Sequence, residues 1–276
     1  MLTIPSLPSQ DRLAGWTRRA VRLIMPVDCL ACHVGLTDDP VPFFCRTCWQ
    51  RIAPLSGPSC STCDQPFVSA AATSWTQDHR CQHCVARPPS FRRAWTLFPY
   101  ISPLREAICA FKYQRKVALA EPLAALMLSA LPASLEGDLI MPVPLHPARL
   151  RGREFNQSLL LADRLARRLR KPVCIDGLVR MKETDPQTTL SRPERLRNLR
   201  RTFAVSHAQT VAGRRVLLVD DVFTTGTTLN ECARALSDAG AESVEALTLA
   251  RTMDASLIPD RLFVEPRAAG RSALGV

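Results

Sequence analysis

"VLLVDDVFTTGTT", Val216–Thr228, decides the fold. Four apolar residues run into Asp220 and Asp221, and a turn built from Thr224, Thr225, Gly226, Thr227 and Thr228 follows. A short unbroken apolar run bounded by turn residues reads as a strand buried on both faces. The next stretch, "TTLNECARALSDAGA" (227–241), puts Leu229, Cys232, Ala233 and Leu236 on one helical stripe. It ends at Gly240, a residue suited to a helix C-terminus. "SVEALTLA" (243–250) is then a second strand.

Upstream the texture is the same. "DLIMPVPL" (138–145) is a short buried strand stopped by prolines. "NQSLLLADRLARRLR" (156–170) is an amphipathic helix with Leu159, Ala162, Leu165, Ala166 and Leu169 inward. "PLREAICAFKYQ" (103–114) has Leu104, Ile108 and Phe111 at helical spacing. Strand and helix alternate, which predicts an α/β domain: a parallel sheet with helices on both faces.

In such a sheet, ligands bind beyond the carboxyl ends of the strands, where Asp220 and Asp221 fall. The helix after the turn begins with unpartnered N–H groups and the positive end of its dipole, which favour a phosphate. The threonine hydroxyls add donors, and Gly226 lets the backbone come close. The two acids would repel a phosphate placed on them. They suit the hydroxyls of an attached sugar, or a Mg2+ that bridges to a second phosphate group. A phosphorylated ribose meets both demands.

Three rival motifs do not fit. A P-loop needs a lysine after the glycine, a Rossmann turn needs GxGxxG, and neither pattern is present. A receiver domain needs a later lysine, and the last one in the chain is Lys182. A plain strand-to-helix cap stays as the bland alternative. On the ligand reading, the two charges do no work in the empty fold and only repel one another.

Eight of the eleven cysteines form four Cys-x-x-Cys pairs: Cys29/Cys32, Cys45/Cys48, Cys60/Cys63 and Cys81/Cys84. Each pair can present two thiolates to one tetrahedral ion, and two pairs complete a closed structural zinc site. The spacings suit two zinc ribbons in series, with cross-braced pairing left open. A disulfide framework needs an oxidising compartment and an export signal, and a redox Cys-x-x-Cys occurs singly. His33, His79 and His83 are expected to be bystanders, and Cys109, Cys174 and Cys232 to sit in the core. The ribbons and the second domain are expected to have separate cores.

The formal charge is +11, and residues 145–215 hold 17 Lys/Arg against 6 Asp/Glu. That segment points to an anionic partner, phosphate or nucleic acid. Eight thiolates on two Zn2+ would lower the total to about +7. Aromatic residues are only 6% of the chain, which argues against single-stranded DNA binding by stacking alone. No apolar run is long enough to span a membrane, and no secretory signal is legible, so a cytoplasmic protein without membrane insertion is expected.

The acid pair followed by TTGTT resembles the phosphoribosyl pyrophosphate (PRPP) motif of type I phosphoribosyltransferases. With the four Cys-x-x-Cys pairs, "FKY" (111–113), "PVPLHPARLRGREFNQ" (142–157) and "PQTTLSRPERLRNLRRTFAV" (186–205), the chain resembles the ComF family. The resemblance implies a type I phosphoribosyltransferase-like domain at 91–251 behind a double zinc ribbon at 25–90. It leaves a helical leader at 1–24 and an extension at 252–276 that is expected to run into disorder.

It further implies that Asp220 and Asp221 hold ribose hydroxyls and that Thr224, Thr225, Gly226, Thr227 and Thr228 cradle the 5-phosphate. Arg149, Arg151 and Arg153 would face the pyrophosphate, and Lys112 has a similar claim. Two structural Zn2+, and Mg2+ carried with PRPP, complete the expected set. The implied setting is DNA uptake in natural transformation, with partners in the uptake machinery, or nucleotide-linked metabolism. An enzyme with an unnamed acceptor stands beside a PRPP sensor or a single-stranded DNA binder. One departure stands out: Glu154 replaces the family's usual glycine, which would make that loop less free to approach a ligand.

Overall fold

The computed structural model describes residues 27–67, 78–145, 150, 152, 154–181 and 202–253. The leader, the extension beyond residue 253, and Arg149, Arg151 and Arg153 lie outside the described residues.

In chain order the elements are α1 (Arg46–Gln50), α2 (Gln82–Ala86), β1 (Arg93–Pro99), α3 (Leu104–Tyr113), α4 (Ala120–Ser129), β2 (Leu139–Pro142) and α5 (Gln157–Leu169). Then come β3 (Leu178–Arg180), β4 (Phe203–Val205), α6 (Ala208–Val211), β5 (Arg215–Phe223), α7 (Thr227–Asp238) and β6 (Ser243–Arg251). Four strands form one sheet in the order β1-β6-β5-β2, and every pairing is parallel. β5 is therefore an inner strand, with Val219 opposite both Leu247 of β6 and Pro142 of β2. The acid pair stands at its carboxyl end. β3 and β4 form a separate antiparallel pair.

The sheet's two faces bury two clusters. Leu217 and Val219 of β5 pack with Ile108 and Phe111 of α3, Leu123 of α4 and Leu165 of α5. Val216 and Leu218 pack with Leu229, Cys232, Ala233 and Leu236 of α7, the stripe the sequence predicted. Gly240 has φ +91° and closes α7, with Ala241 N donating to Leu236 O at 3.0 Å.

Several expectations need correcting. On α5, Leu161 is fully buried while Leu159 and Leu169 are only half-buried. Gln157 and Ser158 are buried instead, because the start of this helix turns toward β5. The apolar patterning predicts neither β1 nor the β3–β4 pair. Cys232 is core, but Cys109 and Cys174 are only half-buried.

The ribbons also lack a separate core. Cys29, Cys45 and Cys48 belong to the cluster of α3, α4 and α5, and Cys60, Cys63 and Cys84 to that of α7. The chain between the ribbons crosses the edge of β1, where Leu55 N donates to Leu97 O at 2.8 Å. Each ribbon therefore covers a different face of the sheet. The physical reason is size: a ribbon of a few dozen residues has little apolar surface of its own to bury and shares the sheet's.

Candidate functional site

The cysteines gather into two sets, Cys29, Cys32, Cys45, Cys48 and Cys60, Cys63, Cys81, Cys84, with the sulfurs of each set within 4.8 Å of one another. Pairing is thus serial rather than cross-braced. Cys32 Sγ lies 3.7 Å from Cys45 Sγ, and Cys63 Sγ lies 3.7 Å from Cys81 Sγ. Four sulfurs at 2.3 Å from a tetrahedral ion would stand about 3.8 Å apart, so the donor set fits zinc.

Both sets are built alike. The first pair of each sits on a tight turn closed by a left-handed residue, His33 at φ 60° and Asp64 at φ 60°. The second pair opens a short helix, α1 after Cys45 and α2 after Cys81. Backbone N–H groups of Cys63 and Cys81 donate to Cys60 Sγ at 3.5 and 3.2 Å, as a thiolate requires. The hydrogen bond from the Cys63 thiol pulls Cys60 down to about 4, and burial pushes Cys84 up to about 12. Among the described residues no histidine joins either set; His79 lies edge-on to Phe67 instead.

At the sheet's carboxyl edge, Asp221 is buried and its Oδ1 lies 2.7 Å from Lys112 Nζ, itself largely covered. α3 carries Lys112 there because Ile108 and Phe111 lock its other face into the core. The two acids are therefore not left to repel each other in the empty fold: Lys112 offsets the pair. Asp220 is half-buried, and its Oδ1 accepts from Ser158 Oγ at 2.8 Å and from Asp221 N at 2.9 Å. Burial, then the neighbouring Asp221 charge, push Asp220 up to about 7, against the pull of those two donors. Ser158 is held by the cap of α5, where Asn156 Oδ1 accepts from Ser158 N at 3.0 Å. Asn156 Nδ2 in turn donates to Val143 O at 3.1 Å, tying the helix to the end of β2.

The turn takes the expected shape. Gly226 has φ +75° and caps α7, while Thr224, Thr225, Thr227 and Thr228 are exposed around it. Thr225 and Thr227 join hydroxyls at 2.9 Å. A Cβ on Gly226 would meet Phe223 Cζ at 2.6 Å. The glycine's bareness thus serves the ring beneath the turn as well as its left-handed backbone. Glu154 keeps φ at +66°, so the loop holds a glycine-like conformation without the glycine, and Glu154 pairs with Arg115 at 2.9 Å. Beside the turn lies a pocket of about 650 Å3 whose other wall is the second ribbon.

Asp220, Asp221, Lys112 and the threonine turn come together as the sequence grouped them. Ser158 and Arg251 were missed. Ser158 follows directly on the 142–157 block, and its side chain reaches the first acid. Arg251 ends β6 opposite Phe223, where a charge closing an apolar strand is the signal.

Two cysteine-rich ribbons set on the faces of a phosphoribosyltransferase-type sheet define the class of protein. A family model described as a phosphoribosyl transferase domain matches residues 156–265, and one described as a double zinc ribbon domain matches residues 20–85. Competence protein F of Haemophilus influenzae is 33% identical over 75% of this chain and 90% of its own length. DNA utilization protein YhgH of Escherichia coli is 33% identical over 77% of this chain and 99% of its own. Competence protein ComFC of Bacillus subtilis is 25% identical over 81% and 95%. The chain belongs to the ComF family. A solved glutamine PRPP amidotransferase from B. subtilis overlaps 47% of this chain and 26% of its own at 25% identity, with a TM-score of 0.35.

Proposed function

We propose that the chain binds PRPP at the carboxyl edge of its sheet. The observation that carries this is the meeting, at one strand end, of a lysine-balanced acid pair and a left-handed Gly226 opening a 12-residue helix among exposed threonines. Asp220 and Asp221 would accept from ribose hydroxyls, and the turn from Thr224 to Thr228 would hold the 5-phosphate. Lys112, with Arg149, Arg151 and Arg153 of the preceding loop, would face the pyrophosphate. Mg2+ would travel with that pyrophosphate and neutralise it as a leaving group, which makes phosphoribosyl transfer the reaction available.

The names of the relatives support a role in DNA uptake for competence or in DNA utilization; the proposed place of action is the cytoplasm, where reduced cysteines keep their zinc. No helix among the described residues is long and apolar enough to cross a membrane. Calorimetric titration of PRPP with Mg2+ tests the binding, and Asp221→Asn should weaken it about ten- to a hundredfold. Pyrophosphate release with one member of a panel of bases selects the enzyme. Binding without release under every acceptor selects a sensor. The surplus of 17 Lys/Arg over 6 Asp/Glu in residues 145–215 favours a second capacity, single-stranded DNA binding, for the same chain.

A further inference from the structure

The pocket beside the turn is built by two domains. Thr224, Thr225, Gly226 and Thr227 form one side, and Gln82, His83 and Arg87 of the second ribbon form the other. Its floor is apolar: Phe91 and Phe223 are both buried and meet edge-on, with centroids 6.4 Å apart. A volume of about 650 Å3 is far more than a phosphate fills and falls among sites for whole small molecules.

The ribbon is fixed at this distance from the turn by ties from separate elements. Arg251 lies over the Phe223 ring at 4.4 Å, donates from Nη1 to Cys63 O at 2.7 Å, and holds Gln65 Oε1 from Nη2 at 2.6 Å. Asn230 of α7 accepts from Ser90 N at 2.7 Å, just past the ribbon. Ala94 N of β1 donates to Thr62 O at 2.8 Å, inside the Cys60/Cys63 turn.

We propose that the second zinc ribbon is the specificity-determining wall of the ligand site, and that the pocket takes the nitrogen heterocycle of a nucleoside 5′-phosphate whose phosphate rests on the threonine turn. The inference rests on the phosphate reading of that turn given above and adds to it the class of ring and the residues that select it. A flat ring suits the aromatic floor. Gln82 offers an amide, and Arg87 its guanidinium donors, to the ring's edge. Neither side chain has a hydrogen bond or ion pair among the described residues, and both are exposed. Gln65 and Asn230 have their carbonyl oxygens already engaged. Gln82 and His83 are the two residues between Cys81 and Cys84, so the second metal site, and not the first, places this wall.

The test is calorimetry on the zinc-loaded full chain with ribose 5-phosphate, then adenosine, guanosine and uridine 5′-monophosphates. At least one nucleotide should bind tenfold or more tighter than ribose 5-phosphate. Arg87→Ala combined with Gln82→Ala should erase that gain and leave ribose 5-phosphate within twofold. Both positions are exposed, so the fold should survive, and Arg46→Ala in the first ribbon is the matched control. Equal affinity for ribose 5-phosphate and all three nucleotides would overturn the inference alone. So would a gain that survives the double substitution. If neither ribose 5-phosphate nor PRPP with Mg2+ binds, the phosphate reading of the turn fails first and this inference goes with it.

Discussion

Replacing Asp220 with asparagine should stabilise the protein, and by an amount that grows with pH. The folded protein holds the Asp220 proton until about pH 7, whereas an ordinary aspartate releases it near 3.8. Between those values the folded state binds more protons than the unfolded one, so stability falls as pH rises and levels off above 7. At about 1.36 kcal/mol per tenfold, the cost reaches roughly 3 kcal/mol at pH 6 and roughly 4 kcal/mol at pH 8. These are upper values, because Asp220 keeps some contact with water. An asparagine Oδ1 can still accept from Ser158 Oγ and Asp221 N, so the hydrogen bonds survive. Urea unfolding of wild type and Asp220→Asn at pH 6 and pH 8, both with zinc bound and PRPP absent, reads the effect. The variant should be the more stable at both, with a gap about 1 kcal/mol wider at pH 8. A variant less stable at pH 8, or a gap equal at the two pH values, would refute the reasoning.

Lys112→Met should cost about 3 kcal/mol, since it strands Asp221 in a covered position, and Asp221→Asn, which strands Lys112, should cost stability too. Adding Asp221→Asn to Lys112→Met should recover part of the loss, and strictly additive costs in melting curves would show that the pair is not coupled. Gly226→Ala should cost roughly 2–3 kcal/mol, because its Cβ meets Phe223 at 2.6 Å in a left-handed backbone, and an unchanged Tm would show that the ring yields freely. Elemental analysis should find close to two zinc ions per chain, with a value near zero in reduced, metal-replete protein sinking the ribbon assignment. Chelation should shift the unfolding of the whole chain instead of stripping off one module, because each ribbon shares a cluster with the sheet. Binding to single-stranded DNA should weaken steeply with salt, and glutamine at Arg195, Arg197, Arg200 and Arg201 should flatten that slope in a fluorescence titration.

The sheet's centre was legible because β5, α7 and β6 are local and strongly patterned. Each residue of the α7 stripe falls where a 3.6-residue period puts it. β1 was not legible: "RAWTLFP" carries a charge, a tryptophan and a closing proline, and only its long-range pairing with β6 makes it a strand. The cysteine spacing announced two metal sites but not their seats on opposite faces of the sheet, which depends on Leu55 crossing the β1 edge. The acid pair was readable as chemistry. Its partner was not, since Lys112 lies more than a hundred residues away and only the packing of α3 aims it. Leu159 and Leu169 face less inward than their spacing predicts because any of several leucines on α5 could have done so, and the ties of Asn156 to Val143 and of Ser158 to Asp220 fix which do.

The tie between Arg251 and Cys63 spans 188 residues of chain, and among the described residues β1 pairs with no strand but β6. A ribosome adding about 5–20 residues per second delivers Arg251 roughly ten to forty seconds after Cys63. For most of that interval, once Cys84 has been added, the second ribbon's four cysteines are present, but β6 and the arginine that seat it have not yet been made. All four cysteines of the second ribbon are thus made well before the surface they will help to form exists. A messenger truncated ahead of Ser243 would yield a polypeptide able to bind zinc and unable to place the second ribbon against the threonine turn.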